Sequence, residues 1–494
     1  MEASARLVLL RLSGEVSIKA PATRRRFVVQ LARNLRDALA SEGAGGEVRT
    51  SRDRLFALLP PGSGSDPGLE ALTRVFGLQS VSPAERRPLT ALGDVVRAGE
   101  ELFREAVHGR RFAVRARRVG GRERIALRPA DVERELGTAL LPGAAGVDLG
   151  RPEFTARVEL FERETCFFSE LLPAPGGLPL GVEGRAVALL SGGFDSAVAA
   201  WQLLRRGVSL DYVFCNLGGR SHLHGVLRVA KLLADRWSYG ERPRLHAIDF
   251  EGLAAELRSR VERRYWQVVL KRLMLRAAEL VADARGAIAL ATGEAVGQVS
   301  SQTLQNLAVI SRAAERPILR PLVGSNKDEI LALARRIGSF ELSKVVGEYC
   351  AMVPSRPATA AKLEDVLAEE AHLDPGHLRA CVAERRVFDL RGLGPDELSL
   401  PGLDLERIPE GASVIDLRSR AEFESWHAPG ALHLEFAQAL RAWPSFDRAQ
   451  RYVLYCEIGL KSAHLAELMR EQGFEAHHIG GGLRALRRLY SSPD

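Results

Sequence analysis

Two short segments of this 494-residue chain place reactive or anion-binding groups at the point where an apolar run hands over to a helical one. The first reads AVALL-SGGFDS-AVAAWQLLRRG and sets Ser191, Gly192, Gly193, Phe194, Asp195 and Ser196 between a strand ending at Leu189 and Leu190 and a helix. Glycines let the backbone approach an anion closely, and unpaired N–H groups gather with the positive end of the dipole at a helix start. With Ser191 and Ser196 as added hydroxyl donors, the loop suits a pyrophosphate. No lysine follows the glycines, which excludes the GxxxxGKS/T loop of common nucleotidases. A carboxylate such as Asp195 is unfavourable beside phosphates unless it positions a metal or a substrate group.

The second segment, YVLYC-EIGLKS-AHLAELMREQGF, puts Cys456 at a strand end with the backbone N–H groups of residues 457–462 disposed around its sulfur. That setting, with Lys461 and the helix start, favours a thiolate or persulfide, and the thiolate is the species that attacks a sulfur donor. Cys166, Cys215 and Cys381 read as structural, and the surroundings of Cys350 (VVGEYCAMVPSRPAT) alone also suggest a small buried hydrophobe. Five scattered cysteines provide neither a disulfide framework nor paired zinc-ligand spacing, and no metal ligands are assigned. In a reducing compartment any disulfide here would be transient and catalytic. His222 and His224 could meet a bound nucleotide, although two histidines near a helix start are more often surface or capping residues.

The elements that must position these loops follow from patterning. Residues 186–190, 210–215, 245–250, 287–291 and 318–321 are apolar strands alternating with helical periods, which predicts a doubly wound parallel sheet. The Pro/Gly/Ser-rich stretch 60–68 is predicted to end a first unit, built from a strand at 7–12 and a helix at 26–40. A second unit to residue 172 carries strands at 112–117 and 155–161, whose alternation puts arginines on one face. The stretch 173–184 is a further break, 358–386 is helical and charged, and a polar linker ends near Gly411. The predicted architecture is thus α/β multidomain, divided at 1–65, 66–172, 173–357, 358–411 (a helical linker) and 412–494.

Net charge is +7, and between residues 103 and 128 nine arginines stand against Glu105 and Glu123, so this one strip matches the surplus of the whole chain. Such a strip favours a polyanion, because neutralised phosphates release condensed counterions. Arg110, Arg111, Arg115, Arg117, Arg118 and Arg122 are its candidate RNA contacts. The opening residues lack a secretory pattern and no run approaches the length of a membrane span, so a soluble, cytoplasmic protein without a membrane partner is expected.

SGGFDS after a strand resembles the PP-loop of ATP pyrophosphatases, enzymes that adenylate a substrate and release pyrophosphate. CNLGG (215–219), TGEAVGQVSSQTLQN (292–306) and RPLVGSNKDEI (320–330) resemble, in that order, motifs of the tRNA uracil 4-sulfurtransferases, the ThiI-type enzymes, and the resemblance extends over essentially the whole chain. It implies an N-terminal ferredoxin-like unit around Gly14, Glu15, Lys19 and residues 24–27, then an α+β THUMP RNA-binding unit. The PP-loop domain follows. The Cys456 segment, with SVIDLRSRAEFESWHAPGAL and HHIGGGL, resembles a rhodanese domain, although Lys461 stands where many rhodaneses carry arginine and Glu457 sets a negative charge beside the nucleophile. The resemblance places Asn216, Leu217, Gly293, Gln298 and Gln302, with Glu294 in the same motif, at the nucleotide alongside residues 189–196. It makes Lys327 a lysine important for activity, whereas chemistry alone leaves it open as a surface lysine at a helix start. It also makes Cys350 the partner of Cys456 in a redox disulfide. The implied activity is adenylation of a tRNA uridine (position 8) with ATP and Mg2+, followed by sulfur transfer from a Cys456 persulfide loaded by a cysteine desulfurase. A second implied duty is passing sulfur to a carrier protein for thiamine thiazole synthesis; the alternatives are that relay alone, or a non-catalytic tRNA-binding protein, against which intact Asp195, Lys327 and Cys456 argue.

Overall fold

The structure, a computed structural model, describes all residues except 1–4, 51–53, 62–65, 121, 345, 347–355, 395, 399–401, 406, 457–458, 481 and 492–494. Among the described residues the strands form sheets of nine, six and five. No helix among them is long and apolar enough to cross a membrane. The nine-stranded sheet lies in one unit (Met1–Val182 with Arg205–Gly207 and Tyr239–Glu241); the other two lie in a second unit.

In the first unit, strand Arg6–Leu12 runs antiparallel to Leu55–Leu59 on one side and to strand Leu78–Pro88 on the other. The far half of Leu78–Pro88 pairs with Glu164–Phe168 instead. One long strand therefore serves two half-sheets. Helix Pro21–Ser41 buries Phe27, Leu31, Leu35, Ala38 and Leu39, a helical spacing. Leu31, Leu35, Ala38 and Leu39 share a core with Val8 and Leu10 of the sheet. Helices Leu92–Val107 and Pro129–Leu140 supply Val95, Phe103, Val107, Val132, Leu136 and Leu140 to a second core against Val114 and Val158.

The predicted unit boundary at residue 65 is corrected here. Ala71, Leu72, Val75, Leu78 and Val81 all belong to the core of the first half. The Pro/Gly/Ser stretch is a loop inside that half, because the strand and helix needed to close its core come afterwards.

The six-stranded sheet runs in the order Ile318–Leu319, Ala289–Ala291, Arg185–Leu189, Ser209–Asn216, Arg244–Asp249, Arg386–Asp389. The first five are parallel, which is the predicted doubly wound pattern, and the last is antiparallel. Alternation sorts the two faces: Val187, Val213 and Ile248 pack with Val268, Val269 and Leu273 of helix Trp266–Arg285, whereas Phe214 meets helix Gly219–Trp237 on the opposite face.

The expected helical linker at 358–411 also needs correcting, since most of it is not a linker. Val366, Leu378 and Val382 enter the core of the six-stranded sheet. Glu370 forms a buried ion pair with Arg272 at 2.6 Å, and Arg386–Asp389 extends the sheet edge. At the other end, Asp404–Leu405 pairs with Glu475–Ile479 in the five-stranded, all-parallel C-terminal sheet. That sheet continues through Arg451–Tyr455, Ser413–Asp416 and Leu432–His433.

Candidate active site

Residues 190–193 connect strand Arg185–Leu189 to helix Phe194–Arg205 at the carboxyl edge of the parallel sheet, where open α/β sheets bind ligands. The loop is held by its own hydroxyls. Ser196 Oγ accepts from the Ser191 amide (3.2 Å), donates to the Gly193 carbonyl (3.0 Å) and lies 3.2 Å from Ser191 Oγ, which in turn accepts from the Gly193 amide at 3.4 Å. Leu190 is pinned by its amide to the Val213 carbonyl. Gly192 has φ +81°, and a Cβ there would stand 2.8 Å from Val346, so the residue type is dictated by both conformation and space. The first residues of the helix have no intrahelical acceptor for their N–H groups, which makes this end an anion cradle.

Asp195 is the polar hub beside that cradle. Its carboxylate accepts from Lys327 Nζ at 2.9 and 3.0 Å and from Gln298 Nε2 at 3.0 Å. Lys327 opens helix Lys327–Ile337, fixed by an Asn326–Glu329 capping box, and its ammonium also lies 5.7 Å from the centre of the Phe194 ring. Gly293 packs so closely on the helix start that a Cβ would stand 2.7 Å from Asp195 C and Ser196 N. Gln302 turns to its own loop, accepting from the Ala295 amide at 3.3 Å. Asn216 organises the next crossover, accepting from the Gly218 amide and donating to the Gly219 carbonyl, and Leu217 packs on the hydrophobic core.

Glu294, in the same motif, is held by residues distant from it in the chain. Glu294 is buried and accepts from Lys271 Nζ (2.9 Å), Arg320 Nε (2.9 Å) and Thr292 Oγ1 (3.0 Å). Burial pushes its carboxyl up, but Lys271 and Arg320 outweigh that and hold it below the usual range. Arg320 heads a motif that was visible in the sequence; Lys271 lies mid-helix and carries no local signal. His222 is not a surface residue. It is buried, stacks edge-on against Phe214 at 4.8 Å, and its ring hydrogen-bonds the Ser191 backbone. His224 is half-buried.

Cys456 follows strand Arg451–Tyr455 and is 4% exposed. Its sulfur accepts from the Gly459 amide at 3.2 Å and lies 3.6 Å from Ser462 Oγ, and Ser462 donates to the Gly459 carbonyl at 3.0 Å. Lys461 places its ammonium over the Phe436 ring, 5.8 Å from the centroid. The strand is braced from below by Asp416 and Arg418, both buried, and by Tyr455, whose hydroxyl accepts from the Ala428 amide. Cys350, and with it the expected Cys350–Cys456 disulfide, lies outside the described residues, as do Glu457 and Ile458. Cys166 and Cys215 are buried, and burial pushes the Cys166 thiol up to about 12.

The arginine strip lies in the first unit, on and around strand Arg111–Arg118. Arg110, Arg111, Arg115 and Arg117 are exposed and Arg118 is half-buried; Arg122 opens a single 3-10 turn. Arg115 and Arg117 share a face, as predicted, opposite Arg157 and Glu159 of the parallel neighbour Phe154–Leu160. Three of the six have internal work, and the first of these, Arg115, donates through Nη2 to the Leu149 carbonyl at 2.5 Å. Arg117 pairs with the buried Glu159, which also holds Arg11 and Arg54, and Arg118 Nε donates to the Leu127 carbonyl at 2.9 Å.

Residues 7–82 match the ThiI ferredoxin-like domain, 181–374 the family described as Thiamine biosynthesis protein (ThiI), and 404–488 the rhodanese-like domain. The tRNA sulfurtransferase of Pyrobaculum aerophilum is 37% identical over 480 residues, 96% of either chain. The chain belongs to the tRNA sulfurtransferase family. A probable tRNA sulfurtransferase of Aeropyrum pernix is 41% identical over 387 residues, covering 78% of this chain and 96% of its own. Among solved structures, a 4-thiouridine synthetase in complex with RNA and bound ATP aligns with a TM-score of 0.67 at 29% identity, over 78% of this chain and 99% of that one. In this chain the phosphate-type loop and the cysteine loop thus sit on separate sheets, each at a turn between a parallel strand and a helix.

Proposed function

We propose that this sulfurtransferase adenylates a tRNA uridine, expected at position 8, and replaces its O4 with sulfur carried on Cys456. The observation that carries the reading is Asp195 held by Lys327 and Gln298 at the mouth of a hydroxyl-braced loop. The loop's backbone N–H groups bind the phosphates of ATP, and Lys327 meets the charge that develops as the uridine O4 attacks the α-phosphorus and pyrophosphate departs. Asp195 is the carboxylate for a magnesium ion, which needs only one or two carboxylates when phosphates complete its shell; bound there, the ion would neutralise phosphate charge. The activated C4 then accepts the terminal sulfur of the Cys456 persulfide and AMP leaves. The thiolate of Cys350 attacks Cys456 Sγ, which releases the thiolated base and leaves a Cys350–Cys456 disulfide for an external reductant to reopen. A cysteine desulfurase loads the persulfide, and the exposed arginines Arg110, Arg111 and Arg115 contribute to holding tRNA through its phosphates.

The test is nucleoside mass spectrometry of tRNA incubated with ATP and the persulfidated protein. Asp195→Ala and Cys456→Ala should each abolish 4-thiouridine, and only the first should abolish tRNA-stimulated ATP consumption. Full thiolation by Asp195→Ala would overturn the adenylation step.

A further inference from the structure

The helix that follows the sulfur loop, Leu460–Glu471, packs along helix Gly219–Trp237, which begins just past the nucleotide-side residue Asn216. The contact is polar where a purely structural helix pair would be apolar. Glu467 is 7% exposed; it lies 3.9 Å from Arg220 Nε, and its Oε2 is 3.6 Å from where a Cβ on Gly219 would stand. One turn nearer Cys456, His464 is 9% exposed, and His222 on the facing helix is 7% exposed. Further along, Arg228 donates through Nε and Nη2 to the Leu398 carbonyl at 3.2 and 3.0 Å, fastening the segment that leads into the C-terminal sheet.

Burying several polar side chains across a helix pair costs desolvation that an apolar surface avoids, and polar, partly hydrated faces are characteristic of contacts that form and release. The seam also has a direct route to the chemistry. His222 bonds the backbone of Ser191, the first residue of the phosphate loop, while His464 lies two residues beyond Ser462, which braces the Cys456 loop.

We infer that this seam is the docking surface by which the sulfur-carrying domain engages the adenylation domain during transfer, with Arg220, His222, His464 and Glu467 as positioning residues. The inference rests on the proposed tRNA thiolation. Docking converts transfer from an encounter between tethered domains into a held geometry, so its loss lowers the effective concentration of persulfide at the activated base.

The experiment uses the full chain, with Cys456 persulfidated, in single-turnover transfer to tRNA with ATP. Two controls accompany it: thiosulfate-to-cyanide sulfur transfer, which reads the Cys456 loop alone, and thiolation supported by free sulfide, which reads adenylation alone. Glu467→Arg should slow persulfide transfer by about ten-fold or more while both controls hold. Arg220→Glu, which leaves the C-terminal domain untouched, should do the same, and the double exchange should recover most of the rate. Undiminished transfer in Arg220→Glu, or a double variant no faster than the singles, would overturn the seam. Wild-type protein inactive with both persulfide and sulfide would instead overturn the thiolation reading.

Discussion

Replacing Lys327 by methionine separates a catalytic lysine from a surface one, because the two roles differ by orders of magnitude. The side chain of Lys327 is 44% exposed and its partner Asp195 21% exposed, so their ion pair contributes about 0–1 kcal/mol to stability. The Phe194 contact adds about 0.5–1 kcal/mol at an exposed site. Against these stands the placement of a cation in the first turn of helix Lys327–Ile337, unfavourable by roughly 0.3–1 kcal/mol. The balance is about 0.6 kcal/mol, and for units of this size it moves Tm by about 1–3 °C. A donor aimed at charge that develops in the transition state is worth about 10²–10³ in kcat. Lys327→Met should therefore keep its calorimetric Tm while tRNA-stimulated ATP consumption loses two to three orders of magnitude in kcat, with KM for ATP moved by less than about three-fold. Retention of kcat within about ten-fold, or a loss that tracks a fall in Tm, would refute the assignment.

Three further outcomes follow from the geometry. Gly293→Ala forces a methyl to within 2.7 Å of the Asp195 and Ser196 backbone, which cannot yield without displacing the loop, so ATP affinity measured by titration calorimetry should fall at least about ten-fold, alongside a stability loss of about 1–3 kcal/mol. Burial lowers His222, His246 and His464 from 6.5 to about 4; unfolded chains take up those protons below pH 6.5 while the folded chain refuses them until about pH 4, so stability falls as pH falls through that window, by up to about 3 kcal/mol per histidine. A Tm unchanged between pH 7 and pH 5 would contradict that burial. Arg115→Glu should weaken tRNA binding and flatten its salt dependence by about 0.7–0.9 for each phosphate no longer neutralised, measured by filter binding across salt concentrations; Arg117→Glu would be a poorer probe, since it sets a second carboxylate against buried Glu159.

The two candidate loops were legible as strand-to-helix turns because each is continuous in sequence: a strand end, a turn of small residues and a helix start announce themselves within a dozen positions. The parallel sheet was legible for the same reason, from apolar runs alternating with helical periods. What stayed hidden depends on residues distant in the chain. Strand Arg386–Asp389 pairs with Arg244–Asp249 about 140 residues earlier, and four residues with two charged ends carry too little pattern to announce a strand. Strand Leu78–Pro88 changes partner halfway along, so the joint between two half-sheets coincides with no break in composition, while the conspicuous break at 60–68 is merely a loop. Lys271 and His222 sit on helices with ordinary amphipathic spacing, and only the fold reveals that one reaches Glu294 and the other the phosphate loop.

The two chemical loops share a construction that explains how one chain can present an anion cradle and a nucleophilic sulfur. In each, a serine early in the following helix reaches back to a loop glycine carbonyl: Ser196 to Gly193 and Ser462 to Gly459, both at 3.0 Å. That bond holds each turn tight; in the first loop the Gly193 amide donates to Ser191 Oγ at 3.4 Å, and in the second the Gly459 amide donates to Sγ of Cys456 at 3.2 Å. A backbone N–H donor at such a turn stabilises negative charge whether it resides on oxygen or on sulfur. The loops differ in their first residue, where Ser191 offers a hydroxyl acceptor and Cys456 a thiol sulfur, and that difference is what the proposed adenylation and sulfur-transfer roles rest on.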